Sequence, residues 1–258
     1  MLKFKNILLI LICVIAIFAN TATAEAKPVT KQVEVLTKDN RFIKAKITYE
    51  KIAGLEKYST VILLHSIGYD SSYWLNLVPE LNAAGYAVIA VDLRGHGQSV
   101  YSSTFHKKSW TYFTNDDYAK MPNDVMDILA QVQKSNKNIN LNATAIVGAD
   151  IGANIAVMVA DKMKVKPKTL VLISPTRKFK GLYIPITLTN ITMPILSMAS
   201  QQDRYCLKEQ KELAKFSQGG FYAQNYPNGG MGMLMIKVNA GMTQDIVKWV
   251  MKYLKPIY

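Results

Sequence analysis

Two hydrophobic periods alternate along the chain. Short β-branched runs occur at Gln32 to Leu36, Phe42 to Tyr49, Thr60 to His65, Ala87 to Asp92, Ala143 to Gly148, Thr169 to Ile173, Ile195 to Ala199 and Gly220 to Tyr226. Segments of helical period separate most of them: Ser72 to Ala84, Asp116 to Gln133, Ile151 to Met163, Leu207 to Phe216 and Thr243 to Leu254. In the last of these Ile246, Val247, Val250, Tyr253 and Leu254 recur at three- and four-residue spacings, and Thr243 is placed to cap the helix. Strands alternating with helices predict an α/β fold, a mostly parallel eight-stranded sheet with helices on both faces. No helix separates the first two strands, so they are expected to pair as an antiparallel ribbon at the edge. The connection from Ser174 to Pro194 is too short for a lid domain.

The first 26 residues follow neither period. Lys3 and Lys5 precede an apolar run of 13 residues from Ile7 to Ala19, and Ala22, Ala24 and Ala26 follow in an A-x-A series. A membrane-spanning helix needs roughly 20 apolar residues. The pattern is that of a cleaved secretory signal over residues 1–26, leaving a domain over 27–258 in a secreted or periplasmic protein. Cys13 leaves with the signal, so Cys206 becomes the only thiol and no internal disulfide can form.

Charge narrows the partners. The chain carries 31 Lys and Arg against 18 Asp and Glu, a net charge of +13, but only Arg41, Arg94, Arg177 and Arg204 are arginines. Phosphate and base recognition favours the bidentate guanidinium, so nucleic acid is not an expected partner. Lys162, Lys164, Lys166 and Lys168, with Lys178 and Lys180 close behind, offer a patch for weak contact with an anionic surface. No spacing points to a metal or a bound cofactor.

The candidate chemistry lies at strand ends. Val61 to Trp74 reads VILLHSIGYDSSYW, Tyr86 to Ser99 ends in DLRGHGQS, Val147 to Ala156 reads VGADIGANIA, Ser197 to Tyr205 reads SMASQQDRY and Tyr226 to Leu234 reads YPNGGMGML. Together these resemble the α/β-hydrolase superfamily, capless serine hydrolases of esters and amides, over nearly the whole mature chain. A nucleophile at a tight strand-to-helix turn needs small residues two positions away on either side, and Gly148 and Gly152 supply them around Asp150. The resemblance implies that the Ile67 and Ile151 amides are oxyanion donors, and that His65, Ser66, Gly148 and Gly152 shape a pocket for a small-molecule ligand. Ser66 stands where the family has glycine.

Two of three triad positions depart from the family. The nucleophilic serine of G-x-S-x-G is Asp150, and Met231 stands at the histidine position of the final loop. A thioether has no titratable proton and cannot act as a general base. All three histidines, His65, His96 and His106, precede Asp150, against the chain order nucleophile, acid, histidine. Asp203 keeps the acid position. His96 is expected to lock the turn that starts at Arg94, His65 to be a hydrogen-bonded wall residue, His106 to be solvated and Cys206 to be buried. Two readings stay open: a pseudohydrolase that binds without catalysing, and a hydrolase with rewired chemistry. In the second, Asp150 is nucleophile or base, assisted by Asp203 or a tyrosine such as Tyr205. If the loops keep the family geometry, a hydroxyl at 150 and an imidazole at 231 should restore esterase chemistry.

Overall fold

The computed structural model describes residues 28–257, so the expected signal segment lies outside the described residues. Eight strands form one sheet: β1 (Pro28–Leu36), β2 (Phe42–Glu50), β3 (Tyr58–Leu64), β4 (Ala87–Asp92), β5 (Ile139–Ala149), β6 (Thr169–Ile173), β7 (Ile195–Ser200) and β8 (Phe221–Tyr226). Their spatial order is β1-β2-β4-β3-β5-β6-β7-β8. β1 pairs antiparallel with β2, and β2 antiparallel with β4, while the pairs from β4 to β8 are parallel.

The helices are α1 (Leu77–Ala83), α2 (Asn115–Ser135), α3 (Ile151–Lys162), α4 (Arg204–Ala214), α5 (Met233–Val238) and α6 (Met242–Tyr253). Every residue of β3, β4 and β6 is buried. That is why these strands read as continuous apolar runs rather than alternating ones. Ile62, Leu64 and Ile89 pack with Met121, Val125 and Ile128 of α2 and with Ile155 of α3, whereas Val61, Leu63 and Val88 face Leu77 and Leu81 of α1 and Ile246 of α6. The two faces of the pleat thus feed two separate cores.

Some elements differ from the sequence expectations. β5 begins at Ile139 rather than Ala143, because Ile139 and Asn140 pair with Tyr58 and Ser59 of β3 ahead of a register shift, and the half-buried Asn140 and exposed Asn142 hide that extension from the apolar pattern. The segment from Ser72 divides into a 3-10 turn over Ser71–Trp74, capped by Asp70, and then α1. Thr243 is not the cap of α6. The helix starts at Met242 after Gly241, and the Thr243 hydroxyl donates to Glu80 of α1 at 2.9 Å. α5 was not expected, since its apolar residues follow a glycine-rich run with no capping side chain. Between β6 and β7 there is a two-residue ribbon, Lys178–Phe179 with Leu182–Tyr183, and a single helical turn, Pro185–Leu188. The lysines divide as well. Lys162, Lys164, Lys166 and Lys168 precede β6, while Lys178 and Lys180 follow it, so the two groups lie at opposite ends of the sheet rather than in one patch.

Candidate active site

The turn from β5 into α3 carries Asp150 at φ +53° and ψ −116°, a backbone region that non-glycine residues rarely adopt. The flanking glycines make this possible. A Cβ on Gly148 would collide with the Gly152 carbonyl, and one on Gly152 with the Leu64 carbonyl of β3. The Asp150 amide donates to the Ile173 carbonyl at 2.8 Å, which ties the turn to β6.

Asp150 is buried, with 2% of its surface exposed. Its Oδ2 accepts the Ile67 amide at 3.1 Å, and its Oδ1 is buried with no hydrogen-bond partner among the described residues. One of the two expected oxyanion donors is therefore already engaged by the side chain at the nucleophile position. Burial pushes the Asp150 carboxyl up to about 6, reinforced by the negative charge of Asp203. The Ile67 and Ile151 amides and the Lys180 ammonium pull the other way and fall short of restoring the ordinary value. Asp150 thus holds a proton below about pH 6 and is a carboxylate above it.

The Gly232 backbone lies beside Asp150. At φ +59°, a Cβ on this residue would strike the Ser66 hydroxyl and stand 3.1 Å from Cβ of Asp150. Two buried serines hold the loop there. The Gly232 amide donates to Ser174 Oγ at 2.9 Å, and the Met233 amide to Ser66 Oγ at 2.9 Å. The Ser174 hydroxyl in turn donates to the Met235 sulfur at 3.3 Å. Met231 is 41% exposed, so the main chain beside it, rather than its side chain, packs on Asp150.

Asp203 caps α4, its Oδ1 accepting the Cys206 amide at 3.0 Å. It reaches Asp150 only through its charge. Cys206 is fully buried, and burial together with Asp203 raises its thiol well above the ordinary value, which makes it a packing residue. Tyr205 is 59% exposed on the first turn of α4.

The histidines take structural roles. His65 Nε2 accepts the Leu93 amide at 2.9 Å, so its Nδ1 carries the proton and donates to the Ser66 carbonyl at 2.8 Å. Burial lowers its pKa and keeps the ring neutral. His96 bonds through Nδ1 to the Arg94 carbonyl at 2.9 Å and stacks on Trp110 with ring centroids 5.6 Å apart. Burial and the nearby His65 push it down to about 4. Arg94 beneath it is buried and forks onto Asp124, with both contacts at 2.7 Å. His106 is exposed in the loop after β4.

The structure brings together Ser66, Ile67, Gly148, Asp150, Ile151 and Gly152, with His65 beneath them. Sequence reasoning missed Gly232 and Ser174. Gly232 stood in the quoted GGMG run, but nothing in that run shows how close its backbone comes to Asp150. Clefts open elsewhere: one of about 360 Å³ is lined by Lys44, Asp70 and Asp92, and another of about 810 Å³ by Tyr49, Lys51 and Tyr58. Asp150 lines neither of them.

The strand order, the strained turn after β5 and the acid position after β7 define an α/β-hydrolase. Residues 56–218 match the family of serine aminopeptidases, S33, and the chain belongs to that family. It is 26% identical over 129 residues to a protein from Oryza sativa subsp. japonica named as a probable esterase, a match covering 50% of this chain and 42% of that protein. The match thus spans less than half of that relative's length. Among solved structures, an acetyl xylan esterase from Paenibacillus sp. R4 superposes with a TM-score of 0.72 at 14% identity, covering 91% of this chain and 87% of that one. A dienelactone hydrolase from Anabaena variabilis ATCC 29413 gives 0.67 at 14% identity, covering 89% and 100% respectively. These likenesses concern the fold.

Proposed function

We propose that this protein is a non-catalytic member of its hydrolase family, closed at the position where relatives hold their nucleophile. The observation that carries this reading is the 3.1 Å bond from the Ile67 amide to Oδ2 of the buried Asp150. A serine hydrolase stripped of its triad keeps roughly 10³- to 10⁴-fold acceleration through its oxyanion donors. Here one donor is occupied by a group that is negative at neutral pH, so that residual catalysis is lost as well. A small acyl ligand would enter only by displacing Gly232. The expected result is no turnover of p-nitrophenyl esters and no labelling by fluorophosphonates. Stoichiometric labelling of the native chain would overturn the proposal.

A second reading draws on one specific observation, the Oδ1 of Asp150 that has no partner among the described residues. In that reading the Asp150 Oδ1 carboxylate attacks an epoxide carbon, the ring C–O bond breaks and the released alkoxide takes a proton from water, giving a hydroxyalkyl ester of Asp150 that water then cleaves to the diol and the free carboxylate. Intact-mass analysis after incubation with a reactive epoxide separates the two readings. An adduct on Asp150 supports the second, and an unmodified chain supports the first.

The proposal includes export, which rests on the leading segment of the sequence. N-terminal sequencing of the exported protein should find Glu25 or Lys27 first. Retained Met1 on membrane-bound material would refute export.

A further inference from the structure

The large apolar side chains most exposed to solvent are distributed unevenly. Tyr112 is 79% exposed, Phe105 78% and Leu75 74%, and Tyr205 and Tyr73 are exposed as well. All five lie on segments leaving the carboxyl ends of β3, β4 or β7. Ile186, 73% exposed, lies further along the segment that leaves the carboxyl end of β6, in the helical turn before β7. Antiparallel pairing brings Leu36 to the same end, because it faces Phe42, and Lys44 of β2 pairs with Asp92 at the end of β4.

These segments are joined into one rim around the buried Asp150. Trp110 lies over Gly68, the Met233 amide reaches Ser66, and the Lys180 ammonium lies 5.9 Å from the Tyr118 ring centroid. Lys38, Lys107, Lys178, Lys180 and Arg204 are exposed at this end without an ion pair among the described residues. The acids here without an ion pair among the described residues are the buried Asp92 and Asp150, the half-buried Asp70 and Asp203, each capping a helix or turn, and the exposed Asp116, which alone of them faces solvent fully.

We propose that this rim docks the protein on an anionic lipid surface, with Tyr112, Phe105 and Leu75 entering the headgroup region and the neighbouring cations facing the lipid charge. The apolar residues stand on separate loop tips with cations between them. That arrangement suits a fluid interface, where each side chain inserts independently, better than a single complementary protein groove. Juxtaposed lysines and arginines add attraction that falls off within a Debye length, so only those on the docking face contribute strongly. Lys162, Lys164, Lys166 and Lys168 face away, separated from the rim by the length of β6, roughly 15 Å.

The test is co-sedimentation of the full chain with vesicles of phosphatidylcholine alone and of phosphatidylcholine with phosphatidylglycerol in equal parts. Binding to the mixed vesicles should be at least tenfold tighter. Leu75→Asp with Tyr112→Asp should weaken it at least tenfold, as should Lys178→Glu with Lys180→Glu. Changing Lys162, Lys164, Lys166 and Lys168 to Glu should weaken it by less than twofold. Any contribution of the leading apolar segment is common to every variant and cancels in these ratios. Thermal unfolding of each variant checks that these exposed substitutions leave the fold intact. An equal loss from the opposite-end variant, or no loss from either rim variant, overturns the proposal. A wild-type chain that binds neither vesicle also overturns it and leaves the rim to a protein partner.

Discussion

At the residue scale, the quantity to measure is the cost of Asp150. Its carboxyl titrates near 6 in the folded chain against an ordinary 3.8. Between those values the native state binds more protons than the unfolded state, so this group makes stability fall as pH rises through the window. Above it the loss is complete, about 3 kcal/mol for a shift of this size. Asp150→Asn keeps an acceptor for the Ile67 amide and removes the titration, at the cost of a buried amide group with no evident acceptor. The absolute stability gap between variant and wild type therefore mixes two effects, but its pH dependence does not. In urea unfolding the gap should move by about 2.4 kcal/mol in favour of Asn between pH 4 and pH 8, since part of the roughly 3 kcal/mol is already lost at pH 4. His65 and His96 work in the opposite sense. Held neutral in the fold, they contribute stability that is lost as pH falls below 6.5, and they cancel in the comparison because both proteins carry them. A gap that stays constant would show that the carboxylate is solvated.

At the scale of elements, Asp203 separates two roles that the sequence runs together. Its position after β7 is legible in the sequence because the motif follows a buried strand. Its work as the cap of α4 depends on a 3.0 Å bond that only the folded chain displays. Asp203→Ala should cost about 1 kcal/mol through the lost cap, whereas Asp203→Asn, which retains an acceptor, should cost a few tenths. Both remove the negative charge that helps raise Asp150, so both should lower the Asp150 titration, read by the same pH-dependent urea series. A cap loss without a titration shift would mean that the two carboxyl groups do not sense each other. The same contrast describes the fold at large. β4 and β6 match the expected bounds to the residue, because continuous burial leaves continuous apolar runs. The start of β5, the loss of Thr243 as a cap and the whole of α5 were hidden, because there local pattern yields to contacts with distant segments. Thr243, for example, is claimed by Glu80, 163 residues earlier in the chain.

At the scale of the whole molecule, the site is closed by three segments far apart in sequence, and this changes what is needed to reopen it. If residue types alone were missing, Asp150→Ser with Met231→His would rebuild a triad with Asp203. The Gly232 backbone, however, lies against position 150, and a side chain at 231 starts from an exposed position. The loop is held by the Met233 amide on Ser66 and the Gly232 amide on Ser174. Ser66 is also the residue that replaces the family's glycine, so it joins a sequence departure to a structural closure. The double variant is therefore expected to fold and remain inactive. Adding Ser66→Gly removes the hydroxyl that holds the Met233 amide, and with it one tether of the loop, which gives the imidazole room to swing over the serine. Only the triple variant should show stoichiometric fluorophosphonate labelling and short-chain ester hydrolysis, on the order of 10²-fold or more above the parent, since a working nucleophile and base add to whatever the oxyanion donors supply. Activity in the double variant would show that the loop opens on its own and that Ser66 does not hold it. A folded, inactive triple variant would place the closure in the second tether, and Ser174→Ala in that background is the change that would then have to release it.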